Sequence, residues 1–366
     1  ASVGGAGDGA ITRALEAFNP SGTSAAGGGC DALHGTWTTL TTQDPLSARP
    51  IADYPFMFVL PDGRLFYAGP SPLDRPDFPY KRFFDLSTGR WADSTSQAHY
   101  DAELFGSAVM YRPGKILRAG ANGEADATIG SSRTETISIS SGAMPGWSEF
   151  QPNNLTTFGL RRRTVHNLTV LPTGDVIVTG GRGIAADSTT STRNPQIWDV
   201  SLGTWNDTLT NELAADPKPR NYHSSAILLP DARVLTSGGE RLTNDARFTA
   251  SVYEPPYLFR SDDSYASRPT IQPAPVKLLY GTTCTLKLAD SDSNRVSTIK
   301  SIAVIRPGSA THQFDENQRY VPLGFVATGS PKRLLVKAPA DSFLAPPGEY
   351  MLFVVDSLAA DAPRVP

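Results

Sequence analysis

Hydrophobic positions in this chain come in short runs separated by turn residues. Phe56-Met57-Phe58-Val59-Leu60 is followed by Pro61-Asp62-Gly63 and then by Leu65-Phe66-Tyr67-Ala68-Gly69. An apolar run, a tight turn, a second apolar run and a small-residue ending predict a β-hairpin. The same order recurs in residues 107–120, in residues 166–181 and in residues 220–239, which close on Gly238-Gly239. Between copies, Arg82-Phe83-Phe84-Asp85 with Trp91, and Gln196-Ile197-Trp198-Asp199 with Trp205, predict one or two further strands. A repeat of about 50–60 residues with four strands per unit suits a kelch-type β-propeller. Each blade must stack on its neighbours to bury both faces, and Gly-Gly lets the innermost strands crowd the axis. Residues 10–18 (Ala-Ile-Thr-Arg-Ala-Leu-Glu-Ala-Phe) are the one fair helix candidate.

The pattern changes after Tyr253-Glu254-Pro255-Pro256-Tyr257-Leu258-Phe259. A polar linker leads to Pro269, and from there the strands lack a Gly-Gly ending. Roughly 100 residues of short alternating strands predict an immunoglobulin-like β-sandwich. The expected architecture is all-β: a kelch-type propeller over residues 1–266 and a C-terminal sandwich over residues 267–366.

Composition adds exclusions. The 32 glycines and 30 prolines fit many short strands and turns. A net charge of -3 gives no electrostatic case for nucleic acid, and the longest apolar runs are too short to span a bilayer. Two cysteines, Cys30 and Cys284, provide neither a disulfide framework nor a thiolate metal site; two unpaired thiols, or one bridge, are the options. Asn154, Asn167 and Asn206 each begin a glycosylation sequon, which fits a secreted protein. The opening Val3-Gly4-Gly5 reads as the tail of a strand, so a processed or truncated chain is expected.

The candidate chemistry centres on Arg220-Asn221-Tyr222-His223-Ser224, where a phenol and an imidazole adjoin at the mouth of a strand. The plain alternative makes Tyr222 a strand aromatic and His223 a solvent-facing polar residue. His312, in the turn Gly308-Ser309-Ala310-Thr311-His312-Gln313, offers a second imidazole. Two imidazoles and a phenolate oxygen in a tetragonal arrangement suit Cu(II), provided a sandwich loop reaches the propeller axis. His166 is given the same repeat position as His223 and reads as pore-lining or packing. Arg161, Arg162 and Arg163 read as a solvated or carboxylate-paired edge, Tyr100 beside His99 as structural, and the Asp290-Ser291-Asp292-Ser293-Asn294 run as a polar turn rather than a calcium loop.

These strings resemble the galactose oxidase and glyoxal oxidase family of mononuclear copper radical oxidases. The resemblance is strongest in residues 220–224, 252–259 with Arg268-Pro269, 310–312 with 318–323, and 345–353. It implies a seven-bladed propeller with a C-terminal sandwich that sends a hairpin into the pore. By resemblance, Tyr222 is the axial tyrosinate that takes the substrate's hydroxyl proton, and His223 and His312 are equatorial copper ligands. The family pairs the copper with a tyrosyl radical thioether-linked to cysteine and reduces dioxygen to hydrogen peroxide.

By the same resemblance, the cross-linked tyrosine and cysteine lie upstream of Ala1, so these residues alone are expected to bind copper at most. A complete enzyme then needs the upstream blades, in the same chain or as a separate segment. No tryptophan stands near Gly7 or Asp8 to shield the cross-link. Tyr54-Pro55 occupies the place of the galactose-binding arginine and looks like the glyoxal oxidase branch. The expected substrates are small aldehydes or primary alcohols with dioxygen, acted on by a secreted monomer. The competing reading is a non-catalytic propeller that binds carbohydrate or protein at the cell surface. A sialidase-like hydrolase lacks the paired carboxylates it needs.

Overall fold

The computed structural model describes residues 54–69, 80–97, 106–120, 132–140, 146–149, 159–183, 191–205, 212–239, 248–272, 277–289, 291, 295–357 and 366, with the backbone of short strands between residues 2 and 39. The regular secondary structure among these residues is almost entirely antiparallel β-strand. Three four-stranded meanders follow one another. The first comprises Met57–Val59, Leu65–Tyr67, Tyr80–Asp85 and Arg90–Gln97. The second comprises Ser107–Arg112, Lys115–Ala119, Thr134–Ser138 and Ser148–Glu149. The third comprises Thr164–Val170, Val176–Arg182, Gln196–Asp199 and Thr204–Trp205. A fourth sheet joins Ser224–Leu228, Val234–Gly238 and Ala250–Tyr253.

The repeated turn is built the same way in three copies. The amide of Leu60, Leu171 or Leu229 donates to the carbonyl of Arg64, Asp175 or Arg233, and a left-handed residue closes the turn. That residue is Gly63 or Gly174, and in the last copy Ala232 at φ 69. Terminal glycines on the second strands also have a clear physical reason. Gly120 and Gly180 are left-handed, and a Cβ on Gly120 would sit 2.7 Å from the Arg163 carbonyl oxygen. The glycine therefore admits the entry segment of the next meander, rather than merely clearing an axis.

The described parts of residues 10–18 are strands, not helix. Ala10–Ile11 is a strand, and Leu15–Asn19 pairs with both Ser2–Val3 and Thr36–Thr39. Nine residues are too short to hold an isolated helix in water, and a strand on each side supplies the backbone partners instead.

Beyond residue 268, two three-stranded antiparallel sheets share one apolar core. Thr283–Lys287, Arg333–Lys337 and Phe325–Ala327 form one; Tyr320–Leu323, Ile299–Ile305 and Met351–Asp356 form the other. Leu286, Ile302, Val304, Leu334, Val336 and Val354 fill the space between them. Alternation is clean in Arg333–Lys337, where Leu334 and Val336 point inward and their neighbours outward. A second core runs from the third and fourth sheets into this region, joining Leu168, Ile177 and Ala226 to Ile305, Tyr320 and Phe353.

The hairpin Ala310–Thr311/Phe314–Asp315 joins the two regions. It packs against the first strands of the second, third and fourth sheets. The Ser107 hydroxyl donates to the Gln313 carbonyl at 2.5 Å, and Ser225 Oγ to the Ala310 carbonyl at 3.2 Å. Phe314 lies between Phe56 and Phe58, with ring centroids 5.0 and 5.5 Å away. Just beyond the hairpin, Gln318 Oε1 accepts from the Val170 amide, and Arg319 donates to the Val59 carbonyl.

Candidate metal centre

Tyr222 and His223 sit in a turn, closed by the Ser224 amide donating to the Asn221 carbonyl at 2.9 Å, that precedes the first strand of the fourth sheet. The turn is pinned on both sides. Before it, buried Arg220 donates to the carbonyls of Gly238 and Thr249, and Asn221 Nδ2 donates to Ser191 Oγ. After it, buried Ser224 Oγ accepts from Asn167 Nδ2 at 3.0 Å. Between these anchors Tyr222 is half-buried, and His223 is exposed with φ 61.

His312 stands at the tip of the hairpin. His312 and Gln313 both have positive φ, 47 and 66, the signature of a two-residue type I′ turn. Asn-Gly is the usual choice there, and histidine is among the few non-glycine residues enriched at positive φ. Asp315 stabilises the loop that follows: its Oδ1 accepts from the amides of Ser309, Asn317 and Gln318 at 2.8, 3.1 and 3.0 Å.

The fold brings the three predicted side chains together. The Tyr222 and His223 ring centroids are 3.9 Å apart, those of His223 and His312 4.9 Å at 87°, and those of Tyr222 and His312 5.8 Å at 72°. Burial, and then the neighbouring His223 imidazole, hold the His312 pKa below the ordinary 6.5. The Thr311 hydroxyl occupies His312 Nδ1 at 2.8 Å, leaving Nε2 for an external partner. Among the described residues no group of three His, Cys, Asp or Glu side chains is placed to hold an ion. The Tyr222 phenol beside the two imidazoles makes a nitrogen and oxygen donor set that fits Cu(II).

Sequence reasoning left one ring out of this set. Tyr54 stacks on His312 with centroids 3.4 Å apart and planes 8° from parallel. Its signal was the repeat itself: Tyr54, Val165 and His223 each lie six residues before the turn leucine, and all three are left-handed.

With this geometry in place, the relatives become informative. Galactose oxidase of Gibberella zeae is 30% identical over 339 residues, which is 88% of this chain and 47% of that enzyme. Aldehyde oxidase GLOX1 of Arabidopsis thaliana is 26% identical over 328 residues, 82% of this chain and 52% of that protein. Residues 268–362 match the family model of the galactose oxidase-like Early set domain. Residues 268–362 are thus a galactose oxidase-like Early set domain, and galactose oxidase and aldehyde oxidases are homologues of the chain. A solved fungal alcohol oxidase of the AA5 family, in complex with copper, has the same fold at a TM-score of 0.70 and 23% identity, over 90% of this chain and 68% of its own. The chain spans about half the length of the curated relatives it matches.

Other residues that the sequence singled out stand as follows. His166 is not the equivalent of His223. It pairs with Gly180 as Ser224 pairs with Gly238, so it is one residue out of register and faces the other way. It is fully buried and neither ring nitrogen has a partner of good geometry. Burial, then the Arg163 charge, push its pKa down to about 3, and the Ala119 carbonyl offsets this only slightly. Asn167 is buried and hydrogen-bonded to Ser224, so its sequon is closed to glycosylation in the folded protein. Arg161 pairs with Glu212 and Arg162 is exposed, whereas Arg163 is buried and donates to the carbonyls of Gly180 and Asn194. Cys284 is a free, half-buried thiol. Cys30, Asn154, Asn206, His99, Tyr100 and most of the 290–294 turn lie outside the described residues. No helix among the described residues is long and apolar enough to cross a membrane.

Buried neutral His166 makes the fold acid-sensitive. With a folded pKa of about 3 against 6.5 unfolded, its contribution is fully present above pH 6.5 and is lost as pH falls from there toward 3. Between pH 7 and pH 5 the loss is about 2 kcal/mol. His166→Gln should lose about that much less stability over the same interval in denaturant titrations. Equal losses in the two proteins would refute the assignment.

Proposed function

We propose that this chain carries the copper site of a copper radical oxidase, with Tyr222, His223 and His312 as protein ligands. The observation that carries this reading is the convergence of two imidazoles and a phenol from distant parts of the sequence. In this reading the meanders are blades of a kelch-type propeller over residues 1–266. Residues 267–366 are an immunoglobulin-like sandwich whose hairpin enters the propeller axis. Contacts between that hairpin and the first strands of three successive sheets support the arrangement.

The residues divide the work. Bound copper supplies a one-electron redox centre that also acidifies a coordinated hydroxyl. His223 and His312 would provide imidazole nitrogen donors, the second oriented by Thr311 as metal-bound imidazoles are by their outer partners. Tyr222, as phenolate, accepts the proton of the substrate hydroxyl. For the whole protein we propose small aldehydes, as hydrates, or primary alcohols as substrates. Each gives up two electrons and two protons to dioxygen, yielding hydrogen peroxide. A secreted monomer is the setting that fits this chemistry.

Titration with Cu(II) should give one copper per chain, with an EPR spectrum of two nitrogen donors. In a peroxidase-coupled assay of a copper-loaded whole protein that also supplies the tyrosyl radical, glyoxal-type aldehydes should release peroxide faster than galactose, whereas residues 1–366 alone should bind copper without turnover. Absence of copper binding would replace this reading with the non-catalytic propeller; a preference for galactose would overturn the substrate class.

A further inference from the structure

We propose that Tyr54 is a positioning residue of this site, clamping the His312 imidazole in the plane in which it meets the metal. The proposal rests on the copper reading and adds to it a group that donates nothing to the ion. Its ring lies 3.4 Å from that of His312 and is within 8° of parallel, a full face-to-face stack. His223 meets the same imidazole edge-on, and Thr311 holds its Nδ1. His312 thus meets a ring on its face, a ring at its edge and a hydroxyl at Nδ1, with Nε2 left open.

Four further observations make the stack part of the design rather than a chance contact. Tyr54 is 47% exposed, so burial does not drive its ring onto His312. It also has a left-handed backbone, φ 54, which costs a bulky aromatic residue free energy and persists only when its surroundings impose it. Phe56, two residues on, is buried against Phe314 of the His312 hairpin, which fixes the distance between the two segments. The repeat position is the one that presents His223 in the fourth sheet. The fold thus uses equivalent positions to supply a ligand from one meander and a clamp from another.

The test compares Tyr54→Leu and Tyr54→Phe in the full chain, with copper affinity by calorimetry, Cu(II) EPR, and NMR of the His312 ring in copper-free protein. Tyr54→Leu should bind copper about 10-fold more weakly, the cost typical of losing an outer partner. Its EPR parameters should shift, and the upfield displacement of the His312 ring protons caused by the stacked phenol should disappear. Tyr54→Phe should restore all three, because the clamp needs the ring and not the hydroxyl. Unchanged affinity and EPR in Tyr54→Leu would overturn the proposal. If wild-type protein binds no copper while the His312 ring displacement is present and lost in Tyr54→Leu, the stack exists but the copper reading fails, and the positioning role falls with it.

Discussion

Replacing His312 with asparagine should remove copper from this protein while leaving the hairpin that carries residue 312 intact. Loss of an outer partner alone costs 10–100-fold in metal affinity, so removing one of three donors should exceed about 100-fold. Stability should behave differently. Residue 312 has φ 47 at the first central position of a type I′ turn, and asparagine occupies that conformation more readily than histidine. The variant should be as stable as the parent, or more stable by up to about 1 kcal/mol. Calorimetric titration with Cu(II) alongside urea unfolding separates the two effects. Retained copper affinity would exclude His312 as a ligand. Lost affinity with a large loss of stability would mean that the residue holds the hairpin rather than the ion.

That opposition between turn and ligand explains why the site was only partly legible. The hairpin repeat could be read because apolar runs and Leu-Pro turns are local signals, and the turns around Leu60, Leu171 and Leu229 share one hydrogen-bond pattern. Tyr222 and His223 announced themselves by adjacency. That His312 meets them depends on Phe314 packing between Phe56 and Phe58, a long-range fact that no local pattern encodes; only family resemblance anticipated it. Tyr54 was placed only where the resemblance puts a substrate-binding arginine; its stack on His312 is a long-range contact that no local pattern shows. Counting back from the turn leucine would have aligned it with His223. The same count would have moved the His223 equivalence from His166 to Val165. A one-residue slip in a strand exchanges a buried face for an open one, which is the difference between a packing histidine and a ligand. The failed helix at residues 10–18 has another cause: over nine residues, apolar spacing does not distinguish a helix from a strand flanked by two partners.

Gly180→Ala should destabilise the fold severely for a change of one methyl group, and it should reach the metal site without touching it. Gly180 is left-handed at φ +66, and a Cβ built on it falls 2.2 Å from the Arg220 carbonyl oxygen and 2.8 Å from the Arg220 Cβ. Neither neighbour can yield cheaply. The Arg220 carbonyl accepts from the Gly181 amide at 2.7 Å, and its buried guanidinium is tied to Gly238, Thr249, Ser251 and Asp216. Left-handed strain alone costs about 1–2 kcal/mol for an alanine. Displacing a buried, multiply bonded segment should bring the total to about 4 kcal/mol or more. Arg220 directly precedes Asn221 and the Tyr222-His223 turn, so the displacement passes to two of the three proposed ligands. The expected outcome is a large loss of unfolding free energy together with weaker copper binding in whatever fraction remains folded. Gly203→Ala is the control: it is also left-handed, but its Cβ would meet nothing closer than 4.0 Å. It should show the backbone strain alone and keep its copper affinity. Equal effects at the two glycines would show that backbone strain, and not the seam between the third and fourth sheets, governs this region.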